Sequence, residues 1–278
     1  MPWTDITRPR YCRVCARYPS DLSDEEWRLI APLLPPARTG GRRRTTCLRE
    51  VMNAIVYIAS SGCQWRMLPK DFPPVSTVQG YFYHWRASGL WLSINHLLVM
   101  TVRELEGREA SPSAGVIDSQ SVKTTESGGI RGFDAGKKVT GRKRHIVTDT
   151  LGLMLFVLVH AASIQDRDGA PQLLKAIRHR YPWLRHVFAD GGYGGPKLRQ
   201  ALAGHGAWTI EIIRRDDHQK GFEVLPRRWV VERTFAWLGR CRRLAKDWEQ
   251  SIESSTAWTL IANIRMLTRR IANHCYDG

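Results

Sequence analysis

The chain has 278 residues, 43% of them apolar and 9% aromatic, which is enough for a packed core and excludes wholesale disorder. Its 42 Lys and Arg outnumber 26 Asp and Glu for a net charge of +16, an excess that points to a polyanion or an anionic membrane. The longest apolar run, Leu151 to Val159, is too short to span a bilayer, and the opening MPWTDITRPR lacks the apolar stretch of a secretory signal, so no membrane partner is expected and nucleic acid leads.

Residues 1–20 read as a loose basic arm containing Cys12-x-x-Cys15, the only C-x-x-C among six cysteines. No second pair completes a zinc site, so reduced, scattered thiols are expected. Ser23-x-x-Glu26 is a capping box, followed by Trp27, Ile30, Ala31 and Leu34 at helical spacing until Pro35. A basic loop, Thr39 to Thr45, carries Arg42, Arg43 and Arg44. A second helix places Leu48, Val51, Met52, Ile55, Ile58 and Ala59 on one stripe and breaks at Ser61-Gly62. Ser76-x-x-Gln79 predicts the cap of a third helix, and a fourth runs from Leu90 to about Glu106. Four short helices with basic loops suit a helix-turn-helix-like DNA-binding module over residues 1–110, with a plain helical bundle as the bland alternative.

Near Gly115 the pattern changes. Gly115 to Asp118 predicts a short strand ending in an acid. Lys143 to Thr150 and Leu153 to Ser163 predict two more strands, Asp166 to Tyr181 a helix, and His186 to Ala189 a strand followed by Asp190. Pro196 to Ala203 reads as helix and Trp208 to Ile213 as a strand. Long helices are predicted from about Pro226 to Lys246 and from Thr256 to Ile271. The order β-β-β-α-β-α-β-α-α places an α/β unit over 111–278.

Asp118 and Asp190 each follow an apolar strand, at the sheet edge where sites form in open α/β folds. On the predicted helix from Pro226, a turn of 100° per residue aligns Arg228, Glu232, Ala236, Gly239, Arg243 and Lys246, so Glu232 is the lone acid on a basic stripe. Three carboxylates can hold two Mg²⁺ or Mn²⁺ ions about 3.5–4 Å apart and promote in-line displacement at phosphorus. Between Ser119 and His145 lie seven Lys or Arg, two acids and five glycines. From there Lys123, Arg131, Lys137, Lys138, Arg142, Lys143 and Arg144 are expected to track a DNA backbone. His145 and His160 read as structural histidines, and the Asp166-Arg167-Asp168 trio as a cap on the helix that follows.

The runs Gly115-Val-Ile-Asp-Ser-Gln-Ser-Val-Lys123, Gly141-Arg-Lys-Arg-His-Ile-Val-Thr-Asp-Thr-Leu-Gly152, Ala189-Asp-Gly-Gly-Tyr193 and Trp229-Val-Val-Glu-Arg-Thr-Phe-Ala-Trp-Leu238 resemble DDE transposases of bacterial insertion sequences, in the family named after insertion sequence five. Gly62-Cys-Gln-Trp-Arg-Met-Leu-Pro69 and Tyr81-Phe-Tyr-His-Trp85 are similar too, and the likeness covers about residues 20–271. It implies a ribonuclease H-like catalytic core whose catalytic and metal-binding acids are Asp118, Asp190 and Glu232, separated by 72 and 42 residues. In the wider superfamily's Tyr-Arg-Glu-Lys signature Arg228 and Glu232 match. Leu225 replaces the Tyr and Gly239 the Lys, with Arg240 or Arg243 as substitute DNA contacts.

The implied function is binding of terminal inverted repeats, cleavage at the element ends by metal-activated water, and joining of the 3′-hydroxyls to target DNA. It also implies a homodimer or larger synaptic assembly on double-stranded DNA, in the cytoplasm and at the nucleoid. The rivals are a catalytically silent DNA-binding regulator and a stand-alone metal-dependent nuclease on the same fold.

Overall fold

The fold is that of a computed structural model, which describes residues 16–37, 39, 40, 43–213 and 227–276; Cys12, Cys15, Arg42 and Leu225 lie outside this set. Four helices open the described chain. Helix α1 (Asp24–Ile30) starts at the expected capping box, with Glu26 N donating to Ser23 Oγ at 3.2 Å and Ser23 N to the Glu26 carboxylate at 3.1 Å. Helix α2 (Leu48–Ser61) stops at Gly62, where φ is +73° and a Cβ would lie 3.1 Å from the backbone of Arg242. Only glycine meets both conditions without strain. Helix α3 (Val75–Ala87) begins after Pro74 and has no side-chain cap, so the expected cap at Ser76 is corrected: Ser76 is already helical. Helix α4 (Leu90–Leu105) follows Gly89.

The apolar faces of these helices converge on the last helix, α8 (Ile252–Tyr276). Phe82 of α3 stacks on Trp258 of α8 with ring centroids 4.6 Å apart, and Trp65 joins them. Polar contacts lock the same seam. Asn263 of α8 donates to Asn95 of α4 at 2.6 Å, and Asn95 donates in turn to the carbonyl of Met154 at 3.0 Å. Arg103 of α4 forms a buried ion pair with Asp149. One apolar core therefore continues from the N-terminal helices into the sheet, across the turn near residue 110.

The sheet is built around β1 (Ala114–Lys123). On one side β1 pairs antiparallel with β3 (Val139–Asp149). Strand β3 gives its other edge first to the short β2 (Gly132–Asp134) and then to β4 (Met154–Ala161). On its opposite side β1 pairs in parallel with β5 (His186–Ala189), and β5 with β6 (Thr209–Ile212). Helix α5 (Asp166–Arg178) connects β4 to β5, and α6 (Pro196–Leu202) connects β5 to β6. Three sequence expectations change. Strand β1 does not end at Asp118 but runs on to Lys123, β3 starts at Val139, and β2 was not foreseen. Strand β3 is buried from Gly141 onward although Arg142, Lys143 and Arg144 are basic.

Helix α7 (Arg228–Leu238) is shorter than the predicted Pro226–Lys246 run. At Gly239 the chain leaves the helix and passes through a 3₁₀ turn, Arg242–Leu244. Tertiary partners claim the backbone there: Arg144 takes the carbonyls of Leu244 and Lys246 at 2.7 and 3.3 Å. Among the described residues no helix is long and apolar enough to cross a membrane. Cys47, Cys63 and Cys241 are free thiols.

Candidate active site

Parallel pairing of β1 and β5 sets the site. The register matches Val116 with Phe188, so Asp118 on β1 and Asp190, the first residue past the end of β5, come to the same end of the sheet, close enough for each charge to act on the other. Asp190 caps the 3₁₀ turn Gly191–Tyr193, its Oδ1 accepting from the Gly192 N–H at 2.8 Å. Asp118 accepts from the backbone N–H of Ser119 at 2.7 Å. Burial pushes the Asp118 carboxyl up to about 6; the Ser119 hydrogen bond opposes this, the negative charge of Asp190 adds to it, and Lys137 and Arg228 pull against it.

Helix α7 packs against β1 and contributes Arg228 and Glu232, one turn apart. The Arg228 guanidinium lies 3.8 Å from the Asp190 carboxylate and 3.7 Å from that of Glu232, so one cation stands between two acids. Among the described residues no three Asp, Glu, His or Cys side chains form a ready-made metal cage. The donor chemistry nonetheless suits a hard divalent cation. Asp118 and Asp190 offer only oxygen, and their mutual repulsion is a penalty that a cation would relieve. Glu232, 56% exposed, is engaged by Arg228.

A fourth acid adjoins the pair. Asp166 does not cap α5, whose N-cap is Gln165 without a side-chain bond. Its Oδ1 instead accepts from Ser119 Oγ at 2.7 Å and from Lys143 Nζ at 2.9 Å. A Cβ on Gly192 would sit 3.0 Å from Asp190 Oδ1 and 3.8 Å from Asp166 Oδ2, so Asp166 reaches the same turn as Asp190. Asp134 of β2 takes the other side of Lys143 at 3.5 Å. Burial works against the Asp134 charge, but hydrogen bonds from Ser121 and the Lys137 N–H, with the charges of Lys143 and Lys137, hold its carboxyl down at about 2. The sequence signal for this network is the two-residue alternation of Ser119 and Ser121 opposite His145 and Lys143, legible only once the β1–β3 register is known.

The basic residues divide. Arg142 is fully buried against Asp247 at 3.1 Å and the carbonyls of Ile130, Glu249 and Gln250. Lys143 and Arg144 are also interior, so the expectation that these three track DNA is corrected: the stretch from Leu244 to Gln250 covers Arg142 and Arg144, and Asp134 and Asp166 take Lys143. Arg243 is buried too, bound to Glu249 at 2.6 Å and to the Cys63 carbonyl at 3.0 Å, and it no longer extends the Glu232 stripe because α7 has ended. Arg43, Arg44, Lys123, Lys137, Lys138 and Arg240 are exposed, and Arg228 is half-buried at the acids. Lys137 donates to the Ser119 carbonyl at 2.9 Å, one residue from Asp118.

Residues 22–95 match the family model described as "Putative transposase of IS4/5 family". Over 117 residues the chain is 37% identical to a "Putative transposase for insertion sequence element IS402" of Burkholderia cepacia, covering 40% of this chain and 54% of that relative. It is also 29% identical over 113 residues to an "Insertion element IS402 uncharacterized 16.2 kDa protein" of the same organism, covering 38% of this chain and 76% of that one. The chain thus spans about half the length of the first of these relatives. No solved structure is significantly similar. Residues 109–267, more than half the chain and the stretch holding Asp118, Asp190 and Glu232, match the model described as "Transposase DDE domain", and the chain belongs to that family.

Proposed function

We propose that the protein is a metal-dependent DNA transposase. It binds the terminal inverted repeats of its insertion sequence, cleaves at the element ends and joins the 3′-hydroxyls to target DNA, in the cytoplasm and at the nucleoid. The observation that carries this reading is the β1–β5 pairing, which brings Asp118 and Asp190 to the same end of the sheet beside the helix bearing Arg228 and Glu232. A central β1 flanked by antiparallel β3 and parallel β5 supports a ribonuclease H-like core over 111–278, with 1–110 as the repeat-binding part.

Asp118, Asp190 and Glu232 are the residues that would hold Mg²⁺ or Mn²⁺, two ions in this reading. Bound cations would supply Lewis acidity and neutralise charge building on the phosphodiester. The side chains present contribute orientation and charge. The Gly192 N–H aims the Asp190 carboxylate, and the Ser119 N–H that of Asp118. Arg228, a permanently charged fork, suits a phosphate oxygen when released from its two acids. Exposed Arg43, Arg44, Lys123, Lys137, Lys138 and Arg240 supply further backbone contacts. Two element ends require a homodimer or larger assembly.

The test uses repeat DNA and Mg²⁺. Asp118→Asn and Asp190→Asn each abolish cleavage and joining while repeat binding stays within about threefold, because each acid contributes little to phosphate affinity. Cleavage by either variant at the wild-type rate overturns the site. Cleavage by the wild-type protein without joining of a labelled 3′ end to a second DNA makes it a nuclease instead.

A further inference from the structure

Behind the Asp190 turn lies a buried polar chain with no part in the reading above. Tyr193, 1% exposed, ends the turn, and its Oη lies 2.7 Å from Nε2 of His145 on β3. Nδ1 of His145 lies 3.4 Å from Nε2 of His160 on β4, and Nδ1 of His160 lies 3.0 Å from the carbonyl oxygen of Ala161.

The last contact orders all the protons. A carbonyl only accepts, so His160 carries its hydrogen on Nδ1, and the neutral ring leaves Nε2 as an acceptor. His145 must then donate from Nδ1 and accept at Nε2, and Tyr193 donates its hydroxyl hydrogen. The chain runs one way, from Tyr193 to Ala161. It requires neutral rings, and burial supplies them. It holds His145 down at about 3, with the neighbouring His160 acting the same way, and it lowers His160 as well.

Two features tie this chain to the site. The Tyr193 N–H donates to the Asp190 carbonyl at 3.2 Å, in the same turn whose Gly192 N–H holds the Asp190 carboxylate at 2.8 Å. Gly169 of α5 closes the other end. A Cβ there would lie 2.7 Å from Nε2 of His160 and 2.9 Å from Nδ1 of His145, so even a methyl group would part the rings.

We propose that the Tyr193–His145–His160 chain is a positioning device that holds the Asp190 carboxylate in place against Asp118; this rests on the reading of those acids as the catalytic pair. Three buried polar groups are costly unless each is satisfied, and here they satisfy one another in a single arrangement that fixes where the turn can lie.

The experiment uses the full chain. In ¹⁵N spectra of the wild-type protein, His145 and His160 both carry hydrogen on Nδ1. Tyr193→Phe and Gly169→Ala fold and bind repeat DNA as the wild type does. They bind Mn²⁺, followed by electron paramagnetic resonance on DNA-free protein, about tenfold more weakly, and lose about tenfold in cleavage kcat with KM for DNA unchanged. Asp190→Asn is the control: if it cleaves normally, the catalytic-site reading fails. If Asp190→Asn is inactive while a folded Tyr193→Phe or Gly169→Ala keeps wild-type Mn²⁺ affinity and rate, the positioning role alone is overturned. His145 protonated on Nε2 in the wild-type protein overturns it whatever the variants do.

Discussion

Arg142, Lys143 and Arg144 on β3 and Lys123, Lys138 and Arg240 at the surface are chemically alike, yet the fold uses them in opposite ways. The first three lie at 0%, 5% and 3% exposure and spend their donors on carbonyls and acids of the chain itself. The second three face solvent and remain free to meet a polyanion. Net charge therefore overstates the cations available to DNA. Part of the positive surplus is an internal skeleton that fastens the stretch after α7 to the sheet through Arg142 and Arg144.

The largest effect that would break this contrast is expected at Arg142. Arg142→Met leaves Asp247 as a buried uncompensated charge and three carbonyls without their donor, and should cost about 3–5 kcal/mol. Thermal unfolding would show a Tm lower by roughly 10 °C. A Tm near that of the wild type would mean that Arg142 is not an interior strut.

Next comes the titration of β3's buried imidazole. The folded pKa of His145 lies at about 3, below its ordinary 6.5, so the unfolded chain takes up the proton first as pH falls. This contribution to stability is full above about 6.5 and is lost toward 3, which amounts to about 2 kcal/mol between pH 7 and pH 5. Denaturant unfolding at the two pH values should show His145→Gln losing less stability than the wild type over that interval.

The surface cations sharpen the other half of the comparison. Lys138→Gln and Arg240→Gln should leave stability within about 0.5 kcal/mol. Each should reduce the slope of log affinity for repeat DNA against log salt by about 0.9 where the lost charge met a phosphate. Unchanged slopes for both would move the DNA path away from them. The smallest stability change belongs to Gly239→Leu. Gly239 is exposed at ordinary helical angles, and only the carbonyls of Phe235 and Ala236 lie near a would-be Cβ. Tm should hold while cleavage falls, since the bulk lies at the end of the α7 face bearing Arg228 and Glu232; unchanged cleavage would separate that end from the DNA.

Local chemistry was readable where it repeats within a few residues. The Ser23–Glu26 box, the α2 stripe ending at Gly62 and the strand before Asp190 were all legible from spacing and composition. The length of α7 was not: the helical pattern continues through Cys241 and Leu244, but Arg144 and the packing around Arg243 draw the backbone out of the helix. Nor was the role of Asp166. A first-turn acid reads as a cap, and only the β1–β3 register delivers Ser119 and Lys143 to it.

The sequence by itself thus determined most of the helices and strands and the order in which charged residues occur along them, because helix and strand periodicity are local properties. The tertiary structure decided which charges are free and which are interior. A side chain's exposure depends on strands and helices that are distant in sequence, and no window of neighbours distinguishes the Arg142 that binds Asp247 from the Arg240 that faces water.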